Sequence, residues 1–137
     1  MDINQFGHTN NREYFDQANA FREAAKADGW ECSPCFGGES AESYAKLSKD
    51  GFKMHVCART NVGKWAYQAE VSIWAPDGLA IHPPTTYNWT LIQAGVRTCN
   101  SCGATDVDTQ RFSFAGRCCA ACLPKMRELH EKGNWTA

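Results

Sequence analysis

The chain has 137 residues, of which 43% are apolar and 21% are charged, and its formal net charge is −1. This composition excludes a disordered chain, and the length limits the fold to one ordinary domain or a domain with a small appended module. No apolar run approaches the roughly 20 residues of a membrane helix, and residues 1–9 lack the order of a signal peptide, so we expect a cytoplasmic protein.

The first predicted element is an amphipathic helix between Asn11, a typical N-cap, and Gly29, a typical C-terminal glycine. Its apolar residues recur at helical spacing, and they are Tyr14, Ala18, Phe21 and Ala25. Such a helix buries one face, so it requires a sheet or another helix to pack on.

The following segment predicts that sheet. Asp50-Gly51 is a strong hairpin signal, and residues 65–74 alternate apolar and polar side chains over ten positions. We predict strands over residues 30–36, 44–48, 52–59, 65–74 and 79–82. The expected body is an α+β fold in which the N-terminal helix packs on an antiparallel meander of four to five strands.

A short helix is predicted over residues 86–93, where Asn88 can cap and Gly95 ends the element. It leads directly into a segment rich in cysteine. We therefore divide the chain into an α+β body over residues 1–96 and a zinc-binding module over residues 97–137.

Two Cys-x-x-Cys pairs define that module. The four sulfurs of Cys99, Cys102, Cys119 and Cys122 can complete the tetrahedron that Zn²⁺ prefers. Between the pairs the sequence predicts a hairpin whose first strand covers residues 106–114, and Leu123-Pro124 opens a helix directly after the second pair. Cys118 is an alternative ligand, although only Cys119 makes the two pairs match.

A knuckle, a hairpin and a second pair that opens a helix resemble the treble-clef zinc fingers, and the resemblance covers about residues 97–133. The stretches 98–104 and 114–117 are also similar to small proteins of unassigned function encoded by bacteriophages. The second resemblance implies an origin and host cytoplasm as the location, and it implies no activity.

Cys32-Ser-Pro-Cys35 after Trp30 is similar to the redox site of thioredoxin-like proteins, but Gly37-Gly38 interrupts the chain where that family has a helix. Thiol redox activity is thus the least unlikely activity of a chain that we expect not to be an enzyme. A second metal site is a further alternative, with Cys32, Cys35, His55 and Cys57 as its ligands.

Other catalytic motifs are absent from the sequence. A zinc ion held by four thiolates has no open position for water, and no phosphate loop, nucleophile elbow or dinucleotide fingerprint occurs. The sequence favours a non-catalytic, zinc-stabilised binding protein.

The partner class has three candidates. A protein partner is the first, because Trp74 is out of phase with the core face and Trp89 lies outside the sheet. Nucleic acid is the second, through basic residues that include Arg111 and Arg117. From Arg97 onward there are six basic and four acidic residues, so four thiolates with one Zn²⁺ would bring this module to about zero charge. A nucleotide or small molecule is the third candidate.

Overall fold

The computed structural model describes residues 7–34, 43–112 and 116–131. The chain divides into two compact units, Met1–Asn88 and Trp89–Ala137. The first unit holds a long helix and an antiparallel sheet, and the second holds the four-cysteine cluster, which confirms the expected fold class. No helix within the described ranges is long and apolar enough to cross a membrane.

The predicted first helix is α1, Arg12–Ala27. Its N-terminus is capped by the Asn11 side chain, whose oxygen accepts a hydrogen bond from the Glu13 backbone N–H at 2.9 Å. Gly29 follows the helix with φ +93°, a conformation that favours glycine. The spacing of apolar residues thus predicted the helix, and Asn11 and Gly29 predicted its ends.

The strands of the first unit are β1 (His8–Thr9), β2 (Glu31–Pro34), β3 (Tyr44–Lys49), β4 (Phe52–Val62), β5 (Trp65–Trp74) and β6 (Ala80–Ile81). Their order in the sheet is β1-β5-β4-β3-β2, every described pair is antiparallel, and β6 pairs with the far end of β5. The meander was predicted, whereas β1 was not. Two residues carry no periodic signal, and β1 is defined only by its pairing with Gln68 and Tyr67.

The turn between β3 and β4 shows why the register is fixed. Asp50 and Gly51 both have positive φ, 52° and 83°, so two residues suffice to join Lys49 to its partner Phe52. Turns of this kind match the right-handed twist of the strands. Because side chains alternate along a strand, this turn decides which residues face α1.

The face that packs on α1 carries the core of the first unit. Its buried strand residues are Ala45, Leu47, Phe52, Met54, Val56, Ala58, Ala69, Val71, Ile73 and Ile81. Helix α1 contributes Ala18, Phe21 and Ala25. We call the opposite side the second face of the sheet. It carries mostly polar residues, among them Lys46, Lys53 and His55, together with Cys57 and Trp74.

A series of side-chain hydrogen bonds connects the end of the first unit to the C-terminal end of α1. The buried Trp30 donates from Nε1 to the Tyr87 hydroxyl at 2.9 Å, and that hydroxyl donates to the Asp28 carboxylate. Lys49 Nζ lies 3.3 Å from the same carboxylate. The hydrogen bond from Tyr87 lowers the pKa of Asp28, while burial and the bond to Asp28 raise the pKa of Tyr87 to about 12.

We expect Tyr87→Phe to reduce the free energy of unfolding by about 1 kcal/mol, because the indole N–H of Trp30 loses its acceptor. A phenol whose pKa is raised by folding stabilises the folded state fully below its unfolded pKa of about 10, and this stabilisation is lost as the pH rises towards 12. Ultraviolet titration should therefore show a late tyrosine ionisation step. The late step should vanish in Tyr87→Phe and persist in Tyr67→Phe, and its persistence in both would contradict this assignment.

Candidate metal centre

The second unit is built from short elements. They are α2 (Trp89–Ala94), a 3₁₀ turn (Gly95–Arg97), β7 (Thr109–Arg111), β8 (Arg117–Cys119) and α3 (Leu123–Glu131). The strand predicted from Asp106 begins only at Thr109. Asp106 has φ +54°, which is incompatible with an extended strand, and its carboxylate lies 3.2 Å from Nε of Arg97.

The first cysteine pair forms a tight knuckle. The Gly103 backbone N–H donates to the carbonyl of Cys99 at 3.0 Å, which reverses the chain and brings Cys102 back beside Cys99. Backbone N–H groups of Ser101 and Cys102 point at the Cys99 sulfur, at 3.4 and 3.5 Å. Such donors stabilise a thiolate in this position.

The second pair connects β8 to α3. Cys119 is the last residue of β8, and the Cys122 backbone N–H donates to its carbonyl at 3.1 Å. Met126 then donates to the carbonyl of Cys122 at 3.0 Å, so α3 begins immediately after the pair. The partial positive charge of a helix N-terminus favours a thiolate there.

The two pairs bring all four sulfurs to one point. The sulfurs of Cys99, Cys102, Cys119 and Cys122 lie within 4.8 Å of one another, and those of Cys102 and Cys119 are 3.9 Å apart. A disulfide requires about 2.05 Å. Four sulfurs at about 2.3 Å from one tetrahedral ion would be about 3.8 Å apart, so the cluster fits a metal ion and not a disulfide.

The structure separates the two neighbouring cysteines of β8. The Cys119 side chain belongs to the cluster, whereas Cys118 does not. Cys118 is only 1% exposed and forms part of the small apolar core beneath the cluster. Partly buried residues complete this core, and they are Ala104, Val107, Phe112, Cys122, Leu123 and Met126. Strand alternation explains the division, since adjacent residues point to opposite sides.

The electrostatics of the cluster call for a cation. Burial opposes ionisation of Cys99, but hydrogen bonds from the backbone of Cys102, Cys119 and Ser101 outweigh it and lower the pKa of Cys99 to about 6. At Cys122 a hydrogen bond with Ser101 favours the thiolate, yet the contacts with the Cys102 and Cys119 sulfurs raise the pKa of Cys122 to about 12. Four close thiolates repel one another, so only a bound cation allows all of them to ionise.

One glycine is required for the two halves of the module to meet. Gly116, directly before β8, has φ +116°, and a Cβ atom at this position would lie 2.4 Å from Nδ2 of Asn100. The Asn100 backbone N–H also donates to the carbonyl of Arg117 at 2.9 Å. The first knuckle therefore packs directly on the start of the strand that supplies Cys119.

The alternative second metal site is not assembled by the described residues. His55 and Cys57 share the second face of the sheet, as their spacing predicted, but Cys32 pairs with Leu47 and lies on the face of α1. Cys35 lies outside the described residues. Within the described ranges, the cluster around Cys99 is the group of three or more potential metal ligands that the structure brings together.

The residues predicted to bind a partner are placed in different environments. Trp74 is half-buried on the second face, where its ring meets the His55 ring edge-on at 4.8 Å, and Trp89 at the start of α2 is also half-buried. Arg111 is exposed, whereas Arg117, its partner across the β7–β8 pair, is buried at 5% exposure.

Sequence reasoning missed the most exposed tryptophan among the described residues. Trp65 is 37% exposed at the start of β5, although it shares the strand face of the buried core. Tyr67 packs on Phe15 of α1 at 5.1 Å, whereas the Trp65 ring stacks on His8 of β1 at 6.4 Å. The signal was its position directly after the Gly63-Lys64 turn, since the tip of a hairpin extends past the element that covers its middle.

Comparison with known proteins returns no relatives: no family model matches the chain, and no curated protein or solved structure matches it.

We expect Cys119→Ser to abolish stoichiometric metal binding and Cys118→Ser to retain it, because only the Cys119 sulfur belongs to the cluster. Elemental analysis of the purified variants, together with Cys99→Ser and Cys122→Ser, provides the measurement. Cys118→Ser should still lower thermal stability, since it places a hydroxyl in an apolar core. Retention of the metal by Cys119→Ser with its loss in Cys118→Ser would reverse the ligand assignment.

We expect Gly116→Ala to weaken metal binding and to destabilise the second unit by roughly 2 kcal/mol or more, through positive φ and the clash with Asn100. Competition with a chelator measures the change in metal affinity. Adding Asn100→Ala should restore part of the loss, because it removes the clashing amide and leaves the backbone strain. Equal metal affinity in Gly116→Ala and the unaltered protein would refute this account.

Proposed function

We propose that this chain is a non-catalytic binding protein whose second unit is held together by one zinc ion. The observation that carries the proposal is the use of all four sulfurs of the cluster as potential ligands. A site saturated by four thiolates stabilises a fold and leaves no position for substrate or water, and zinc is the usual ion of such a site. Its binding free energy, on the order of 10 kcal/mol, would then be folding free energy.

The module offers further support for a structural ion. Its apolar core consists largely of the cysteines themselves and a few half-buried side chains around them. So small a core supplies little hydrophobic stabilisation, and units of this size depend on a metal or disulfides. The order of knuckle, strand pair and second knuckle opening α3 is consistent with a treble-clef arrangement.

We further propose that the ligand is a protein. The support is Trp65, an exposed indole at the tip of the β4–β5 hairpin, with the His8 ring stacked at 6.4 Å and Lys64 Nζ 5.7 Å from its ring centre. Exposed tryptophans held by neighbours lose little conformational entropy on binding and dominate many protein interfaces. If the phage resemblance holds, the partner would be a host factor or a component of the phage particle.

Nucleic acid is the weaker candidate, because two of the described basic residues of the second unit are paired with carboxylates or buried. Arg97 is paired with Asp106 and Asp108 at 3.2 and 3.0 Å, and Arg117 is buried. Phe112, an aromatic side chain that could stack on a base, is half-buried in the core beneath the cluster. In the described part of this unit, Arg111, Lys125 and Arg127 are exposed.

Partner capture separates the two candidates. The tagged protein is purified from its natural host with and without nuclease, the captured partner is identified and purified, and its affinity is measured at low and moderate salt. We expect the partner to be a protein that survives nuclease, with Trp65→Ala weakening the affinity by about 30-fold, or 2 kcal/mol. Binding should change little with salt.

The matched control combines Arg111→Ala with Arg127→Ala, both exposed, and avoids the buried Arg117, whose loss would disturb the fold. Nucleic acid becomes the better hypothesis if this double variant abolishes capture, if affinity falls steeply with salt, and if Trp65→Ala has no effect. Trp74→Ala tests Trp74, which the sequence favoured as a contact for a protein partner.

A further inference from the structure

Two neighbouring rungs of the sheet place a polar cluster on the second face beside the edge strand β2. Directly paired residues share a face, so the cluster follows from the register alone. Its members are Ser33, Lys46 and His55 in one rung, and Glu31, Ser48 and Lys53 in the next. All of them except His55 border a cavity of about 300 Å³. This volume is at the lower end of the range for small-ligand sites.

The cluster contains two lysines that lie diagonally across β3 and β4. Both Lys46 and Lys53 are exposed, and neither forms an ion pair within residues 7–34, 43–112 and 116–131. Their field reaches the neighbouring imidazole: burial first, and then the charges of Lys46 and Lys53, lower the pKa of His55. Two like charges on adjacent rungs are unfavourable, and a bound anion would relieve the repulsion.

The remaining groups define which anion fits. Lysine binds phosphate as a flexible point charge, and two of them can converge on one group that carries two negative charges. The hydroxyls of Ser33 and Ser48 stand in the same two rungs as the lysines and supply neutral hydrogen-bond donors. Glu31 borders the same cavity, so a second anionic group of the ligand would be repelled on that side.

We propose that Lys46 and Lys53, with Ser33 and Ser48, bind the phosphate group of a small phosphorylated molecule in this cavity. The site lies in the first unit, and it is independent of the zinc module and of a protein partner at Trp65. Binding here would give the chain a ligand in addition to the partner proposed above.

The test is a titration of the full-length protein with inorganic phosphate and with pyrophosphate at constant ionic strength, followed by backbone amide NMR shifts. We expect saturable shifts at residues 33, 46, 48 and 53. Lys46→Met and Lys53→Met should each weaken binding by about tenfold, and Glu31→Gln should tighten it. Phosphate binding should also raise the pKa of His55 towards its ordinary value, which the imidazole resonances report.

Lys125→Met is the matched control, because it removes one exposed positive charge from the second unit, and it should leave phosphate affinity unchanged. Substitution of exposed lysines rarely unfolds a protein, and thermal unfolding of each variant verifies this. The proposal is overturned if no saturable shift occurs, or if Lys125→Met weakens binding as much as Lys46→Met. Binding to a phosphoserine peptide without binding to either free anion would also overturn it, since the ligand would then be a modified protein.

Discussion

Four cysteine sulfurs that would repel one another as thiolates are held within 4.8 Å, and the second unit depends on this arrangement. A defined backbone feature positions each sulfur. The first pair lies in the knuckle closed at Gly103, Cys119 ends β8, and Cys122 directly precedes α3. Without a cation, the pKa of Cys99 is lowered and the pKa of Cys122 is raised. When a cation is bound, the charges of the thiolates, the geometry of the four sulfurs and the reversal of the chain favour the same structure. The ion can therefore replace the apolar core that so short a segment cannot build.

The first unit is stabilised by different physics. Its core is a conventional layer of aliphatic side chains between α1 and one face of the sheet, and the alternation of β4 and β5 is sufficient to place them. Part of the second face is not needed for packing the core. There the register brings together lysines, hydroxyls and an imidazole that are scattered along the sequence from residue 31 to residue 55.

Sequence reasoning recovered what local patterns encode. The α1 helix with its Asn11 cap, the Asp50-Gly51 hairpin, β5 and the four-cysteine cluster follow from spacing, turn chemistry and ligand geometry. It missed β1, whose two residues are defined only by a distant partner, and it extended β7 to Asp106, whose positive φ is incompatible with an extended strand. It could not rank the tryptophans by exposure, because Trp65 has the strand phase of the buried residues of β5 and is nevertheless 37% exposed.

The placement of β1 sets an order of events during synthesis of the chain. His8 pairs with Gln68, sixty residues later, while β3, β4 and β5 join their neighbours through turns of two residues. On the ribosome, the hairpins can close as soon as they emerge, but residues 8 and 9 must wait until β5 has left the exit tunnel. Although β1 is made before the other strands of this sheet, it cannot enter the sheet before β5 does, and until it enters, the edge of β5 facing it is open to other chains.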